Sequence, residues 1–469
     1  MKQIIKNEWQ FLSRNRTLLG LSLGFILVLL LSVILGKLEN NKQAAQYTSA
    51  ASQMRQQWES IDAMNPHSAA HYGTYVFKPA NMLSSLDAGV SSVTGNVLRV
   101  EGHVQNEIVH SEASQMQTAS RFGKLKSSLL LQYLLPLLLI FLAFHSISSE
   151  QQSGRLKMLV LQGAKPSSII WAKTLSVWLY GMALLTTTVL VYALSNLQGI
   201  SPDVLGRSLF FYLSYALYYF IVSGLSVFFS ARWQDATVAL TSMLGIWILW
   251  SIFLPNILMS SVEKWYELPS RNEFKSAMRE DRSKGLDGHN PSDKRTEALK
   301  VNVLQEYGVD SVSKLPINFD GILMQEDEEY GNKVWDKHFG QLREVLARQK
   351  QTYQLAGLVN PFISLQNASM GFAGNDNLHH QEFLVQAEAY RRDFIKMLND
   401  EHAFGGSKTG DWGWKANNDF FKSVPDYEYQ PVTLATVLPN YLADLGLLAA
   451  WVLFTIILMG IGTKKMQIL

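Results

Sequence analysis

The sequence predicts a mainly α-helical polytopic membrane protein, with six transmembrane helices, both termini cytoplasmic and two largely helical extracytoplasmic inserts. Two observations predict it. The first is a set of six stretches without a charged side chain: Thr17–Gly36, Ser127–Ser149, Thr174–Pro202, Ser208–Ala231, Ala236–Val262 and Leu445–Thr463. Each has about the 20 residues a helix needs to cross a hydrocarbon core ~30 Å thick. A charge at the centre of such a helix costs roughly 2.5–3.5 kcal/mol, so repeated absence of charge marks spans. The second observation is where the basic residues fall between them.

Ahead of the first stretch stand Lys2, Lys6, Arg14 and Arg16 against Glu8. Basic short tethers stay cytoplasmic, which places the loop with Arg155, Lys157, Lys165 and Lys173, the turn with Arg232 and the tail with Lys464 and Lys465 on that same side. On the opposite side the one short loop holds Asp203 and Arg207, which cancel. The chain then divides into an interfacial helix 1–16, TM1 17–36, a first insert 37–126, TM2 127–149, a loop 150–173, TM3 174–198, TM4 208–231, TM5 236–260, a second insert 261–441, TM6 442–463 and a tail 464–469. The first apolar stretch exceeds a signal peptide's apolar core and lacks a small-residue cleavage site, so an uncleaved span is expected.

Within the first insert, Lys37–Ser60 and Leu98–Leu125 read as helices closed by a turn-rich segment Asn65–Pro79 with Pro66, Gly73 and Pro79. In the second, Val334–Gln354 and His380–Asn399 read as helices, Arg271–Ser292 as a charged loop and Gly405–Trp414 as a turn cluster. No solenoid-type repeat is present. Mean hydropathy of +0.03 averages apolar spans with polar inserts. A net charge of +2 points to no nucleic-acid partner, and the lack of cysteine excludes disulfides and thiolate metal sites.

Before TM1, Ile5, Trp9 and Leu12 share one helical face, which suits a helix lying in the interface. The loop Glu150–Lys165 holds Leu156, Leu159 and Val160 at helical spacing, and Gly163 stands where a C-terminal cap would. A short amphipathic helix on a solvated loop implies a docking partner. Pro136 inside TM2 removes a helical hydrogen bond and marks a candidate hinge. Tyr212, Tyr215 and Tyr219 share a face of TM4 and could line a substrate path, although interfacial belts and packing explain aromatics equally well.

The pattern Glu150, Ser153-Gly154, Leu156, Leu159, Gly163, Ile169 and Lys173, with the opening Lys6-Asn-Glu-Trp and Arg14, Arg16, resembles ABC-2-type ABC transporter permeases through all six spans. Arg155 stands where that family often has threonine. The resemblance implies a coupling helix formed by Glu150, Gly154, Arg155, Leu156, Leu159 and Gly163. It also implies separate ATP-binding subunits that carry ATP and Mg, a second permease copy or relative, and membrane lipid around the spans. Phe77-Lys-Pro, Leu86-Asp-Ala-Gly, Glu101-Gly-His, Arg121-Phe-Gly, Asn360-Pro-Phe and His379-His-Gln-Glu-Phe are similar to a bacterial subgroup with large external domains, which could engage an accessory protein.

The chain holds no nucleotide site of its own, because Gly406-Ser-Lys-Thr lacks the spacing of a phosphate-cradling loop. No cofactor is expected in this chain. His67, His71 and His103 invite a metal reading, with His110, His379 and His380 further along. Pro66 and Gly73 argue against a helix there, so solvated or capping histidines are expected and no metal. The expectation is therefore the permease subunit of an ATP-driven exporter in the bacterial cytoplasmic membrane, moving an amphipathic, lipid- or peptide-like substrate. The alternative is a transmission device that acts on a secreted protein or lipoprotein through its inserts. A membrane metallohydrolase rests on the histidines alone.

Overall fold

The computed structural model describes residues 1–106, 126–287 and 290–465. Among the described residues six helices are long and apolar enough to span a bilayer: Arg16–Glu59, Ser127–Gln152, Pro166–Ser195, Pro202–Arg232, Ala236–Trp265 and Leu434–Lys464. With little sheet beside them, they make a mainly α, polytopic membrane protein. An even number of crossings returns both chain ends to one face, called here the terminal face; the inserts share the other.

TM4 is the hub. It packs against TM2, TM3, TM5, TM6 and the second-insert helix Pro361–Ala373, burying Phe211, Tyr215, Tyr218, Tyr219 and Ile221 completely. TM4 meets TM6 so closely that a Cβ on Gly224 would sit 2.4 Å from Thr455 Cγ2. Small residues permit such backbone approach where lipid supplies no hydrophobic drive.

Two spans contain π turns, each followed by proline. In TM2 the turn covers Leu130–Leu134 and the next helix starts at Leu135 with Pro136 in its first turn. In TM5 it covers Leu249–Phe253, and Pro255 follows in the same place. Proline offers no N–H to the carbonyl four residues back, and the helix widens where that bond is missing.

TM1 does not stop at the membrane. Its helix runs 44 residues, about 66 Å at 1.5 Å per residue, and the expected helix Lys37–Ser60 is its upper half. There Trp58 Nε1 donates to the Phe421 carbonyl at 2.9 Å, and Arg55 donates to the carbonyls of Val424 and Lys422 at 2.6 and 2.9 Å. Strands β1 (Ala63–Met64) and β4 (Ala416–Asn417) pair antiparallel. Trp58, Ala69, Val76, Leu98, Phe383, Phe394 and Phe421 share one core. The two inserts thus fold as one body.

Three expectations are corrected. Leu98 does not begin a helix: β3 (Val97–Val100) pairs antiparallel with β2 (Thr74–Phe77), and its alternate residues Leu98 and Val100 are buried, the period of a strand. The rest of that expected helix, from residue 107 to 125, lies outside the described residues, as does His110. The segment Asn65–Pro79 contains a helix, Pro66–Tyr72, because Asn65 Oδ1 caps it, proline is tolerated in its first turn and Gly73 closes it at φ +65°. Arg271–Ser292 is not a loop over its first half: Arg271–Lys284 is a helix started by a Ser270–Glu273 capping box. The helices expected at Val334–Gln354 and His380–Asn399 extend to Phe319–Leu355 and Asn377–Phe404.

The inserts are locked to the spans by buried charge. Arg207, 1% exposed, donates to Asp203 Oδ2 at 2.7 Å and to the Val432 carbonyl at 2.6 Å. Its neighbour His379 pairs through Nδ1 with Asp376 Oδ1 at 2.7 Å. Lys350, at 3.1 Å, and the Tyr441 hydroxyl, at 2.6 Å, complete the cluster on Asp376 Oδ2. Burial alone would raise the Asp376 carboxyl, but His379 and Lys350 hold it well below the usual carboxylate range.

Candidate functional site

At the terminal face, helix Lys2–Arg14 lies against TM3. From it Glu8 reaches inward. Lys173, buried in the helix Pro166–Ser195, donates to Glu8 Oε1 and Glu150 Oε1, each at 2.6 Å. One ammonium therefore clasps the N-terminal helix, the end of TM2 and the start of TM3. A cavity of about 280 Å³ adjoins the clasp, with Asn7, His145, Arg155 and Ser149 on its wall.

After Glu150 the chain turns at Gly154, φ +70°, into a short helix, Arg155–Leu161, and leaves it at Gly163, φ +90°. Both glycines hold a left-handed backbone that side chains disfavour. Within the short helix the faces are the reverse of the expected docking arrangement. Leu156 is 1% exposed and belongs to the protein's own core, with Leu159 and Val160 packed beside it. Met158 and Leu161 are the exposed apolar pair, at 58% and 74%. Arg155 is exposed, its Nε on Ser153 Oγ at 3.0 Å. Glu8 belongs to the Lys6-Asn-Glu-Trp motif, but its pairing with Lys173 was not foreseen from the sequence, nor was the exposure of Met158 and Leu161, whose three-residue spacing was the available signal.

The aromatic face of TM4 is closed in this conformation. Tyr215 shares a hydrogen bond with Ser369 Oγ at 2.9 Å, Tyr219 donates to the Leu131 carbonyl at 2.9 Å, and Tyr212 pairs with Thr186 at 2.8 Å. Tyr215 and Tyr219 have no exposed surface. They tie TM4 to TM2 and to the second insert. Gln132, in the π turn beside Pro136, donates to Asp87 Oδ2 at 3.1 Å, and Ser369 donates to the same oxygen. Burial pushes the Asp87 carboxyl up.

Where TM1 enters the inserts, a cavity of about 380 Å³ opens beside it, lined by Leu35, Gly36, Gln43, Lys78, Ser85 and Asn375 among others. Lys78 is 5% exposed and its ammonium has no hydrogen-bond partner among the described residues. Burial lowers it to about 8, with Asp376 opposing, so it stays largely cationic at neutral pH.

His67, His71 and His103 come together. Nε2 of His67 lies 3.2 Å from Nε2 of His71, and one ring nitrogen of each of the three falls within 4.8 Å of the others. Burial, then His71 and His103, lower His67 to about 4, leaving a neutral ring. His379 and His380 do not join them. Ser407 and Thr409, from the Gly406-Ser-Lys-Thr string, bond Asn318 and the Phe319 N–H at 2.8 and 2.9 Å, capping helix Phe319–Leu355.

Six apolar spans, a clasped N-terminal helix and a glycine-bounded short helix on the terminal face make a multi-pass membrane protein. The chain belongs to the ABC-2 family of transporter proteins, whose family model matches residues 2–305. Residues 271–430 match a domain of unknown function, DUF3526. No curated protein and no solved structure matches the chain. Membership makes it the membrane permease component of an ABC transporter, a transport subunit that associates with ABC ATP-binding subunits.

Proposed function

We propose that this permease belongs to an exporter of the bacterial cytoplasmic membrane, with its termini and the Arg155–Leu161 helix cytoplasmic and its inserts outside. The observation that carries the reading is the short helix itself. Leu156 anchors one face to the bundle while Met158 and Leu161 offer the other to an ATP-binding subunit, which holds ATP and Mg. The clasp through Lys173 passes displacement of that helix to TM3 and the N-terminal helix. A second permease, identical or related, covers the exposed lipid-side faces of TM1, TM5 and TM6 and completes a path between subunits. Differential binding of the ATP-binding subunits to two permease conformations drives the change.

The cavity at Lys78 gives the substrate its class. Leu35 and Gly36 of the TM1 helix line one wall together with Glu39, and Lys78, whose ammonium has no hydrogen-bond partner among the described residues, lines another; an amphiphile at the outer edge of the bilayer with its anionic group directed at Lys78 suits this lining. Met158→Glu with Leu161→Glu is expected to abolish co-purification with the ATP-binding subunit at unchanged melting temperature. Retained association would remove this face as the contact. Lys78→Met is expected to lower bound anionic amphiphile, read by mass spectrometry of the purified complex, at least several-fold.

One observation favours a second reading, ATP-driven transmission to an external accessory protein without passage of cargo. The unbroken helix Arg16–Glu59 joins the membrane to the clamp at Trp58 and Arg55. Ala44→Gly with Ala45→Gly would soften that rod between the two. Loss of partner activity with unchanged amphiphile binding would select transmission over export.

A further inference from the structure

We propose that His67, His71 and His103 form an imidazole site for a zinc-like transition-metal ion on the inserts. Helix Pro66–Tyr72 places His67 and His71 one turn apart on one face, with Asn65 Oδ1 accepting from the His67 N–H at 2.9 Å to start it. Two imidazoles at 3.2 Å could be a simple hydrogen bond. The third ring argues for more. His103 comes from a separate turn, its ring centroid 5.4 Å from that of His67 and 5.1 Å from that of His71. It is the one non-glycine residue with positive φ among the described residues, +63°, a conformation that costs free energy and persists where surroundings enforce it.

What enforces it is Glu328, 2% exposed on helix Phe319–Leu355. Its Oε1 takes both the His103 backbone N–H and Nδ1, the latter at 2.8 Å. Arg391 holds the other oxygen at 3.0 Å, and Glu388 and Asn332 hold Arg391 at 2.8 and 2.6 Å. A carboxylate on Nδ1 fixes the tautomer that leaves Nε2 as a lone-pair donor, the usual support of a metal-bound histidine.

Donor set and spacing fit the ion. Tetrahedral ligands at 2.0–2.1 Å stand about 3.3 Å apart, which the His67–His71 pair meets as built; the His103 ring closes a gap of at most 4.8 Å. Three imidazoles and no thiolate suit zinc or copper(II), with a fourth position open to water or an outside donor. His71 is exposed, so an ion enters from the medium. Bound there, it joins the first insert, through its three histidines, to Glu328 on the second.

The test uses the full chain purified without a polyhistidine tag and stripped with chelator. Zinc and, separately, copper(II) are titrated by calorimetry and retained metal is counted after desalting. One ion per chain and a rise in melting temperature are expected. His71→Ala, an exposed position, and His103→Ala should each abolish stoichiometric retention. Glu328→Gln should weaken affinity about 10–100-fold. Copper retained in place of zinc, with the same histidine dependence, supports the site. Failure of the wild type to retain either metal, or equal retention by His71→Ala, overturns it.

Discussion

Lys173 carries the largest single-residue consequence at the terminal face. Its ammonium is buried and faces two carboxylates. Removing one partner of a buried charge set leaves the others uncompensated, at a cost of about 3–5 kcal/mol. Lys173→Met is therefore expected to lower the melting temperature of the purified protein strongly, and Glu8→Gln less, since Glu8 is the more exposed carboxylate. Equal melting of wild type and Lys173→Met would show that the clasp does not hold. On the insert side, burial and then Lys78 push His380 down to about 4 from 6.5. A base whose folded pKa is depressed favours folding only when neutral. Its contribution is complete above pH 6.5 and is lost as pH falls from 6.5 towards 4, up to about 3 kcal/mol. His380→Leu should flatten melting temperature against pH across that window, and an unchanged slope would refute the assignment. At this scale the sequence is legible in identity and blind in direction. The spacing of Leu156 and Leu159 showed an amphipathic helix, yet only packing decides that they face inward and that Met158 and Leu161 face out.

Among elements, TM4 sets the geometry, and Gly224 sets how near TM6 can come. Its missing Cβ makes room for Thr455. Gly224→Val is expected to cost about 1–3 kcal/mol through overpacking. Thr455→Gly in the same chain should restore much of it, because residues in contact couple. Additive losses in the double variant would show that the helices do not meet there. The six spans were legible because a missing charge is a local property that no tertiary contact can supply. The π turns were half legible: Pro136 announced a disturbance, but its repetition at Pro255 gains meaning only when both are seen to follow a widened turn. Pro66 misled in the opposite direction. At the first turn of a helix proline costs nothing, and the cap at Asn65 outweighs it.

For the whole molecule, what the sequence concealed was long-range. The β1–β4 ladder, the Trp58 clamp and the Glu328–His103 pair each join residues far apart in the chain, the last of them 225 positions apart, and no window along the sequence contains both partners. What it predicts is an orientation, and that is open to direct test. The cysteine-free chain accepts single reporters without background. Ser52, on the extended TM1 helix, and Ser292, on the second insert, are exposed, as are Ser13 and Ser167 on the terminal face. Cysteine at Ser52 or Ser292 is expected to react with a membrane-impermeant maleimide in intact cells. Cysteine at Ser13 or Ser167 should react only after permeabilisation. The arrangement follows from basic tethers retained inside and from six crossings that bring both ends to one face. Labelling of Ser167 from outside would invert the molecule. It would place Arg155–Leu161 beyond reach of any ATP-binding subunit and leave the inserts, with the Lys78 cavity and the histidine cluster, in the cytoplasm.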